Sequence, residues 1–584
     1  MAERRTSYGK ITMLRIFAPH PARCWQCLDG TWSHHFPRSG TAISADGWRD
    51  GWQVDMEVPG CWDPDVGRLL EWRGQGVARR SFVTERTGPA ILRFGGVGHT
   101  ATVFVDGRHV AVHHDGHTAF EAVVPHLTAG DHEVLVHVDS GFGAVSGLNI
   151  PNDYFVYGGL IRPVELHLPR RVPWLQRVDV NVTPRAGGGW SVEAIARLAN
   201  PEDAAVSVDL AVRLCGVEAR AAVRVAPGGS DERLSFHLPA SVASWSPAAP
   251  VLHWLDATLA DASGVYDGWR DRIGLREIRC DGERLLLNGE PVFLRGFNRH
   301  EDHGEHGGAL PVRAMRRDIE LIRQLNANAV RTSHYPNDER FLDLCDEAGV
   351  LVWEENHARG QGLDQMRHPA FRRQALDSAQ EMVEQHRNHP SIILWGVMNE
   401  CDSEAPEGRD MYAEQFAAIR ARDLTRPTTY ASCRQGNDIC QDLPDVCGWN
   451  IYPQWYHGGD PAAELNGLLE RYRAPIGHKP VIVSEVGAGA IPGLRDPLRR
   501  SKWSEDGQAE ILGRQLDGLL WHPRICGVFI WQFCDVRVDL GWYNINRPGG
   551  INDKGLVDRW RRPKLAYATV AERFARHRDR IERE

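Results

Sequence analysis

Two glutamates, Glu400 and Glu485, have the neighbours expected of paired catalytic carboxylates. Glu485 follows the apolar run Val481-Ile-Val-Ser484, and Glu400 stands beside Asn399. Two carboxyl groups about 5 to 5.5 Å apart can hydrolyse a glycosidic bond with retention. An ionised Glu485 would attack the anomeric carbon, while Glu400 would protonate the leaving oxygen and later deprotonate water. The Glu485 charge is expected to raise the pKa of Glu400, and Asn399 is expected to donate to the sugar 2-hydroxyl.

A second candidate group is the run Asn552-Asp-Lys-Gly555 near the C-terminus. An amide and an ammonium two residues apart on a Gly-flanked loop can bind a carboxylate together. Asn, Asp and Gly are also ordinary turn residues, so the run by itself predicts only a solvated turn. A binding role depends on whether the fold places Asn552 and Lys554 beside the two glutamates.

The second half of the chain has the pattern of a barrel. Met315, Ile319, Ile322 and Leu325 fall on one helical face, and short apolar runs alternate with such helices after Arg276. About 300 residues with eight strand-helix units predict a (β/α)8 TIM barrel. An open doubly wound sheet is the alternative, but no Gly-rich phosphate loop follows the first strand. The strands are predicted near residues 292–294, 329–332, 350–353, 392–396, 428–431, 446–449, 481–484 and 528–531.

Polar residues stand at the carboxyl ends of five predicted barrel strands. In a TIM barrel these ends meet at one face, where the active site lies. We therefore expect the polar residues to converge there. They are Arg299 to Asp302 after the first strand, Ser333 and His334 after the second, Asn399 and Glu400 after the fourth, Asn450 and Tyr452 after the sixth, and Glu485 after the seventh.

The first half of the chain is rich in short alternating strands. Residues 101–105 and 108–112 flank Asp106-Gly107, which is a strong hairpin signal. A second β-rich stretch, at about residues 170–277, has the length and strand spacing of an immunoglobulin-like sandwich. One large β domain is the alternative. With 584 residues the chain is too long for one core.

Composition excludes several classes of protein. The chain has 68 Lys plus Arg against 77 Asp plus Glu, a net charge of −9, without a basic block to follow nucleic acid. The first twenty residues contain Arg4 and Arg5 but no apolar core of a signal peptide, and no apolar run approaches a membrane span. We expect a cytoplasmic protein without a nucleic-acid or membrane partner.

The metal-ligating residues do not form a recognisable motif. Among twelve cysteines only Cys24 and Cys27 form a C-x-x-C, which is weak evidence for zinc. A metal-dependent hydrolase using His300, His303 and His306 is an alternative, but their spacing fits no compact ligand set. We therefore expect no metal and no cofactor.

Five longer motifs stand in order along the chain: Tyr157-Gly-Gly-Leu-Ile-Arg-Pro163, residues 285–303, Arg331-Thr-Ser-His-Tyr-Pro336, His386-Arg-Asn-His-Pro390 and residues 395–400. With them the chain resembles glycoside hydrolase family 2 over nearly its whole length. That family contains β-galactosidases, β-mannosidases and β-glucuronidases. The resemblance implies a jelly-roll β-sandwich at 1–169, an immunoglobulin-like β-sandwich at 170–277 and a catalytic TIM barrel at 278–584. It also implies Glu400 as acid/base and Glu485 as nucleophile.

Further segments resemble the β-glucuronidases of that family most closely: residues 152–155, 450–456, 502–505 and 547–550. The resemblance implies a retaining exo-acting β-glucuronidase for terminal β-D-glucuronides, assembled as a homodimer or homotetramer. A β-galacturonidase or β-galactosidase is the alternative. The uronate carboxylate would be bound by Asn552 and Lys554 with Arg547 nearby, and Trp531 would be the sugar platform. The implied substrate-binding residues are Asp153, His334, Asn399, Asn450, Tyr452, Tyr456, Trp531, Arg547, Asn552 and Lys554.

Three positions depart from the glucuronidase pattern. Ile551 is an extra residue before Asn552, and Val486 stands where a Tyr is common. The segment at 354–359 is also unlike the usual one, and we hypothesise that its His357 or Arg359 reaches the sugar and shifts selectivity toward a galacturonide or a longer uronic-acid chain. A solvated loop is the alternative. A binding protein without turnover is disfavoured because both glutamates are present.

Overall fold

The computed structural model describes residues 13–37, 52–62, 72–143, 145–539, 541 and 546–583. Arg4 and Arg5, which the sequence analysis considered for a signal peptide, lie outside these ranges. Within the described ranges, no helix combines the length and apolar character needed to cross a membrane.

The first described region is a β-sandwich with one apolar core. Its two larger sheets have the strand orders β1-β12-β5-β9 and β3-β2-β4-β10-β7-β8, and β11 pairs with β6. Buried residues of both larger sheets, such as Leu92 and Val136, belong to one hydrophobic cluster. The strands are β1 (Cys24–Cys27), β2 (Gly30–Phe36), β3 (Trp52–Val58), β4 (Gln75–Thr84), β5 (Gly88–Phe94), β6 (Val97–Gly98), β7 (Thr100–Val105), β8 (Arg108–His113), β9 (Phe120–Leu127), β10 (Gly130–Asp139), β11 (Gly159–Leu160) and β12 (Val164–Leu168).

The predicted hairpin at Asp106-Gly107 is confirmed. Strands β7 and β8 pair antiparallel across this turn. Asp106 and Gly107 have φ values of 49° and 74°. Both turn positions thus have positive φ, which is what a two-residue hairpin turn of type I′ requires.

The second region is a smaller sandwich with its own apolar core. Its sheets have the orders β13-β14-β17 and β16-β15-β18-β19 and together form a separate hydrophobic cluster. Two separate cores agree with two β domains rather than one large one, while the exact domain boundaries stay a prediction. The strands are β13 (Trp174–Pro184), β14 (Trp190–Ala199), β15 (Val206–Leu214), β16 (Val217–Val225), β17 (Ser230–Leu238), β18 (His253–Asp261) and β19 (Gly264–Ile273).

The third region is a closed barrel of eight parallel strands, which confirms the TIM-barrel prediction. Seven predicted strands overlap their observed positions closely. The first begins at Leu294 and runs on to Arg299, so Arg299 belongs to the strand while the other predicted polar residues, His300 to Asp302, follow it. The strands are β23 (Leu294–Arg299), β24 (Ala329–Thr332), β25 (Leu351–Glu355), β26 (Ile392–Gly396), β27 (Thr428–Ser432), β28 (Val446–Asn450), β29 (Val481–Val486) and β30 (Gly527–Ile530).

Helices surround the barrel and bury one face each. The predicted face of α1 is buried, with Met315, Ile319 and Ile322 in the main apolar cluster. Asp338 caps α2 and Ser504 caps α8 through side-chain oxygens that accept backbone N–H groups. The helices are α1 (Val312–Gln324), α2 (Glu339–Ala348), α3 (Leu363–Met366), α4 (Phe371–His386), α5 (Pro406–Arg422), α6 (Pro461–Arg471), α7 (Arg473–Ile476), α8 (Glu505–Leu519) and α9 (Leu565–Ile581).

Short strands complete the barrel region at both ends. A three-stranded sheet of β20 (Ile278–Asp281), β21 (Arg284–Leu287) and β22 (Glu290–Pro291) precedes the first barrel strand. After the last barrel strand, β31 (Val536–Arg537) pairs with β32 (Ile551–Asn552). The extra Ile551 is therefore part of a strand that leads directly to Asn552.

Buried polar contacts join the first sandwich to the barrel. The Arg162 guanidinium donates to Glu301 at 2.9 Å, and the Tyr157 hydroxyl donates to Asp302 at 2.8 Å. These contacts use residues after β23, so they anchor the segment between β10 and β12 against the carboxyl end of the barrel. Asp153 lies in that segment.

Candidate active site

A cavity of about 290 Å³ opens among the loops that follow the barrel strands. It brings together residues from the barrel, from the first sandwich and from the C-terminal segment, and we refer to it as the sugar pocket. Nine of the twelve residues predicted for the site line it. The lining residues are Asp153, Arg359, Glu400, Cys433, Gln435, Asn450, Tyr452, Tyr456, His457, Glu485, Trp531, Arg547 and Lys554.

The two glutamates lie in the sugar pocket at different depths. Glu485 is part of β29 and is 4% exposed. The Glu400 side chain is 18% exposed, and its residue follows β26 with a φ of 53°. A positive φ at a non-glycine residue is uncommon, and such positions cluster at functional sites. The structure thus brings together the two carboxylates that the sequence pattern paired.

Each glutamate accepts hydrogen bonds that hold its orientation. The Tyr452 hydroxyl donates to Glu485 Oε2 at 2.6 Å, and Arg331 Nη1 donates to Glu485 Oε1 at 2.9 Å. Asn450 Nδ2 donates to Glu400 Oε1 at 2.8 Å. The donors around Glu485 include a cation, so they stabilise its ionised form more than its neutral form.

Arg331 donates hydrogen bonds to several residues around Glu485, yet the sequence analysis assigned it no role. Its fully buried guanidinium also donates to Glu355 Oε2 at 2.8 and 2.6 Å, to Asn298 at 2.8 Å and to Asn399 at 2.7 Å. An Arg inside the four-residue buried strand β24 is itself a signal, because a buried Arg needs several acceptors.

The raised pKa falls on the deeper glutamate. Desolvation and the Glu400 charge raise the pKa of Glu485 to about 7, against the opposing effects of Arg331 and Tyr452. Desolvation likewise raises the pKa of Glu355 to about 7. The sequence argument expected the raised pKa at Glu400. Glu485 is deeply buried and therefore loses much of its hydration, while the expectation for Glu400 stays a prediction.

A second group of charges lines the sugar pocket around Asp153. Arg359 Nη1 lies 2.9 Å from Asp153 Oδ1, and Arg547 Nη2 lies 2.7 Å from Asp153 Oδ2. Burial alone would raise the pKa of Asp153, but Arg359 and Arg547 outweigh it and lower that pKa. Arg547 therefore reaches the pocket despite the extra Ile551 in the segment before Asn552.

Lys554 adds a buried cation to this group. It is 1% exposed, and its Nζ lies 5.4 Å from the centre of the Tyr456 ring. Desolvation and the neighbouring Arg547 lower its pKa. Two adjacent cations form a site that an anionic ligand group would stabilise.

Three predicted substrate-binding residues lie behind the pocket wall instead of lining it. The Asn552 amide donates to the Asp153 carbonyl at 3.2 Å and to Asp153 Oδ2 at 3.3 Å, so this amide positions Asp153. Asn399 Oδ1 accepts from Arg331 at 2.7 Å. His334 Nδ1 lies 2.8 Å from Glu355 Oε1.

Trp531 follows β30 and forms an apolar wall of the pocket. The His334 ring stacks behind it with a centroid distance of 5.0 Å and an interplanar angle of 17°. Tyr452 and Tyr456 lie edge to face at 5.2 Å. Flat aromatic faces of this kind suit the apolar faces of a sugar ring.

The unusual loop after β25 divides between two environments. Arg359 lines the sugar pocket, and its Nη2 lies 3.6 Å from Glu400 Oε2. His357 is buried against the first sandwich, where its Nδ1 lies 3.4 Å from Asp115. The solvated-loop alternative is therefore wrong for both side chains, and Arg359 is the one placed to touch a ligand.

The pocket also contains residues that the sequence analysis did not consider. Cys433 and Gln435 follow β27, and His457 follows the aromatic loop after β28. The sequence pattern points to residues directly after each strand, whereas these three residues lie farther along their loops.

Comparisons with known proteins identify relatives of the whole chain. Residues 278–577 match the family model described as "Glycosyl hydrolases family 2, TIM barrel domain". The β-glucuronidase of Rattus norvegicus is 27% identical over 95% of this chain and 91% of its own length. The β-glucuronidase of Streptococcus agalactiae serotype V is 29% identical, covering 83% of this chain and 85% of its own.

Two solved structures are similar over nearly the whole chain. A family 2 β-galacturonidase from Eisenbergiella tayi bound to galacturonate is 40% identical, with a TM-score of 0.91, covering 97% of this chain and 99% of its own. A β-glucuronidase from Ruminococcus gnavus in complex with D-glucuronic acid is 25% identical, with a TM-score of 0.82, covering 95% and 98%.

Proposed function

The chain belongs to glycosyl hydrolase family 2, and from that premise we propose that it is a retaining, exo-acting β-uronidase that releases terminal β-D-galacturonate. The observation that carries the proposal is a single pocket holding Glu400 and Glu485 together with Arg547 and Lys554. The first pair can cleave a glycosidic bond, and the second can bind a sugar carboxylate.

Glu485 is the proposed nucleophile. In its ionised form it attacks the anomeric carbon, the bond to the leaving oxygen breaks, and a glycosyl-enzyme forms. Arg331 and Tyr452 donate to its two oxygens and so supply hydrogen bonds that desolvation removes. Glu400, held by Asn450, donates the proton to the leaving oxygen and then takes one from the attacking water.

Lys554 and Arg547 are the proposed carboxylate site. A uronate carboxylate that leaves water needs cations and donors in place of its hydration. Lys554 is buried, and the loss of water around its ammonium lowers its pKa. A ligand anion beside it offsets that loss. A neutral galactoside cannot provide this charge, which disfavours the β-galactosidase alternative.

Galacturonide is favoured over glucuronide by the identities to the two solved enzymes. The solved β-galacturonidase is 40% identical to this chain, against 25% for the solved β-glucuronidase. The two sugars differ only in the orientation of the 4-hydroxyl, and Arg359 is paired with Asp153 in the pocket. We infer that this pair contacts the 4-hydroxyl. β-Glucuronide is the second candidate, supported by the curated relatives.

A panel of chromogenic β-D-galacturonide, β-D-glucuronide and β-D-galactoside tests the specificity. We expect kcat/KM to be highest for galacturonide and lowest for galactoside. A preference for glucuronide would select the second candidate, and a preference for galactoside would defeat the carboxylate site.

The retaining mechanism has its own test. A 2-fluoro uronide with a good leaving group should inactivate the enzyme by accumulating the glycosyl-enzyme, and peptide mass spectrometry should place the label on Glu485. A label on another residue, or first-formed product of the α configuration, contradicts the proposal.

We further propose that the chain forms a homodimer or homotetramer, as the family resemblance implied. Light scattering coupled to gel filtration gives the mass in solution, and a monomer at working concentration contradicts this proposal.

A further inference from the structure

A cluster of three histidines and one aspartate lies between the first sandwich and the barrel. His99, Asp115 and His117 belong to the sandwich, and His357 belongs to the loop after β25. Their exposed fractions are 1%, 3%, 7% and 1%. We refer to these four residues as the interdomain cluster. It is separate from the sugar pocket, since none of its members is a lining residue of that pocket.

The histidines of the interdomain cluster lack hydrogen-bond partners in the described part of the chain. Both ring nitrogens of His99, both of His357 and Nδ1 of His117 are buried without one. A neutral imidazole carries one donor and one acceptor. Leaving a buried polar group unpaired costs about 1 to 3 kcal/mol. Three such rings at one place point to a shared ligand that accepts nitrogen lone pairs.

Distances around Asp115 fit a metal ion better than direct hydrogen bonds. Its Oδ1 lies 3.4 Å from His357 Nδ1 and 3.6 Å from His117 Nδ1. N–H···O hydrogen bonds are about 2.7 to 3.2 Å long. Ligand atoms arranged tetrahedrally around zinc, at bond lengths of about 2.0 to 2.1 Å, are about 3.3 Å apart. One ligand atom from each of the three residues lies within 4.8 Å of the other two.

The ring positions fit the same geometry. The centroids of His117 and His357 are 4.9 Å apart, those of His99 and His357 are 5.3 Å apart, and those of His99 and His117 are 6.0 Å apart. Imidazoles bound tetrahedrally to one zinc ion have centroids about 5 Å apart. His99 therefore lies beside the other three residues, but it is not part of the group whose ligand atoms fall within 4.8 Å of one another.

We propose that the interdomain cluster binds one divalent transition-metal ion, zinc by its ligand chemistry, through Asp115, His117 and His357, with His99 beside them. Imidazole and carboxylate ligands suit zinc. Ser378 donates to Asp115 Oδ2 at 2.6 Å, and the His117 backbone N–H donates to Oδ1 at 2.9 Å. Both bonds orient the carboxylate, and Oδ1 keeps a second lone pair for the ion.

The ion would join two domains at the edge of the sugar pocket. Two ligands come from the sandwich, and the third, His357, precedes Arg359 by two residues. The site thereby holds the loop that carries Arg359 against the sandwich. The metal content and the stability of the protein do not depend on which sugar the enzyme prefers.

Metal content of the untagged wild-type protein tests the proposal. After dialysis against metal-free buffer, inductively coupled plasma mass spectrometry should find about one zinc per chain. Cobalt exchanged into the site should give the strong visible absorption of a tetrahedral ion. A chelator should lower Tm by a few degrees and added zinc should restore it. Metal far below one equivalent together with no Tm response to zinc overturns the proposal and leaves a hydrogen-bonded network.

Variants locate the ion within the chain. His117→Gln and His357→Gln should each lose the zinc and the Tm response, and two variants are used because one of them alone could fail to fold. His303→Gln combined with His306→Gln is the matched control, since these residues and Glu305 form a more exposed group whose ligand atoms are equally close. If the control loses the ion while His117→Gln retains it, the interdomain cluster is not the site.

Discussion

The two sides of the sugar pocket are built in different ways. The catalytic side consists of Glu400, Glu485 and Arg331, which stand on or just after the barrel strands. Arg331 donates to Glu485, and Glu400 accepts from Asn450. The carboxylate side draws on Asp153 and Arg547, which are 394 residues apart in the chain and 2.7 Å apart in space. We thus assign bond cleavage to residues of the barrel strands, and sugar selection to segments from distant parts of the chain that meet at the barrel.

The two sides also differ in charge. Around Arg331 the carboxylates outnumber the cation, and the pKa values of Glu355 and Glu485 are raised to about 7. Around Asp153 the cations outnumber the carboxylate, and the pKa of Asp153 is lowered by Arg359 and Arg547. A uronate carboxylate is attracted to the second side and repelled by the first. Under the proposed function, the charge difference would orient the sugar with its anomeric carbon toward Glu485.

The strongest test of this division is the change Glu485→Ala. We expect kcat to fall by about 10⁵-fold, the order seen when a catalytic nucleophile is removed. Azide should then restore turnover and give the α-glycosyl azide, because the small anion attacks from the side vacated by Glu485. In Glu400→Ala, azide should instead give the β-glycosyl azide. Full activity of Glu485→Ala, or the two azide products exchanged, contradicts the assigned roles.

The change Lys554→Ala tests the carboxylate side. We expect kcat/KM for the uronide to fall by about 10² to 10³-fold, because the substrate carboxylate is left buried beside fewer cations. Activity on the neutral galactoside should change little. Lys502→Ala is the matched control, since the Lys502 ammonium lies 4.5 Å from the Trp455 ring without lining the pocket. Equal losses in both variants would place the carboxylate elsewhere.

The catalytic side was largely predictable from sequence. Glu400 and Glu485 stand at or after the carboxyl ends of apolar strands. The strand-helix alternation of a barrel alone therefore places them at the same end of the barrel. Their hydrogen-bond network was harder to foresee. Arg331 occupies a strand position that its apolar neighbours make look like core, and the raised pKa of Glu485 depends on its burial, which no local pattern records.

The carboxylate side was predicted only in part. Asn552 and Lys554 are two residues apart, yet only Lys554 lines the pocket, because the Asn552 amide is bound to Asp153. Contacts between Asp153 and Arg359 cross from the first sandwich to the barrel. Such contacts depend on how two domains pack, and spacing within one segment carries no information about that.

Arg359→Ala sharpens the comparison within the carboxylate side. Arg359 lies 2.9 Å from Asp153, and its removal frees one oxygen of that carboxylate. We expect the ratio of kcat/KM for galacturonide over glucuronide to fall by about tenfold, the effect of losing one hydrogen bond of about 1.4 kcal/mol. Arg367→Ala, which removes an exposed ion pair with Glu407, is the control. An unchanged ratio would show that Arg359 does not discriminate between the two sugars.

Tyr452→Phe should produce the smallest effect, a shift in pH dependence. The Tyr452 hydroxyl donates to Glu485 and lowers its pKa, and only the ionised Glu485 is reactive. Removing the hydroxyl therefore raises the pKa, so the acid limb of the kcat/KM profile, expected near pH 7, should move to higher pH by about half to one unit. Tyr456→Phe is the control, because Tyr456 is 51% exposed and lies at the carboxylate side beside Lys554. The acid limb could instead move in Tyr456→Phe and stay in place in Tyr452→Phe. That result would mean that the limb reflects ionisation of a group at the carboxylate side of the pocket and not of the nucleophile.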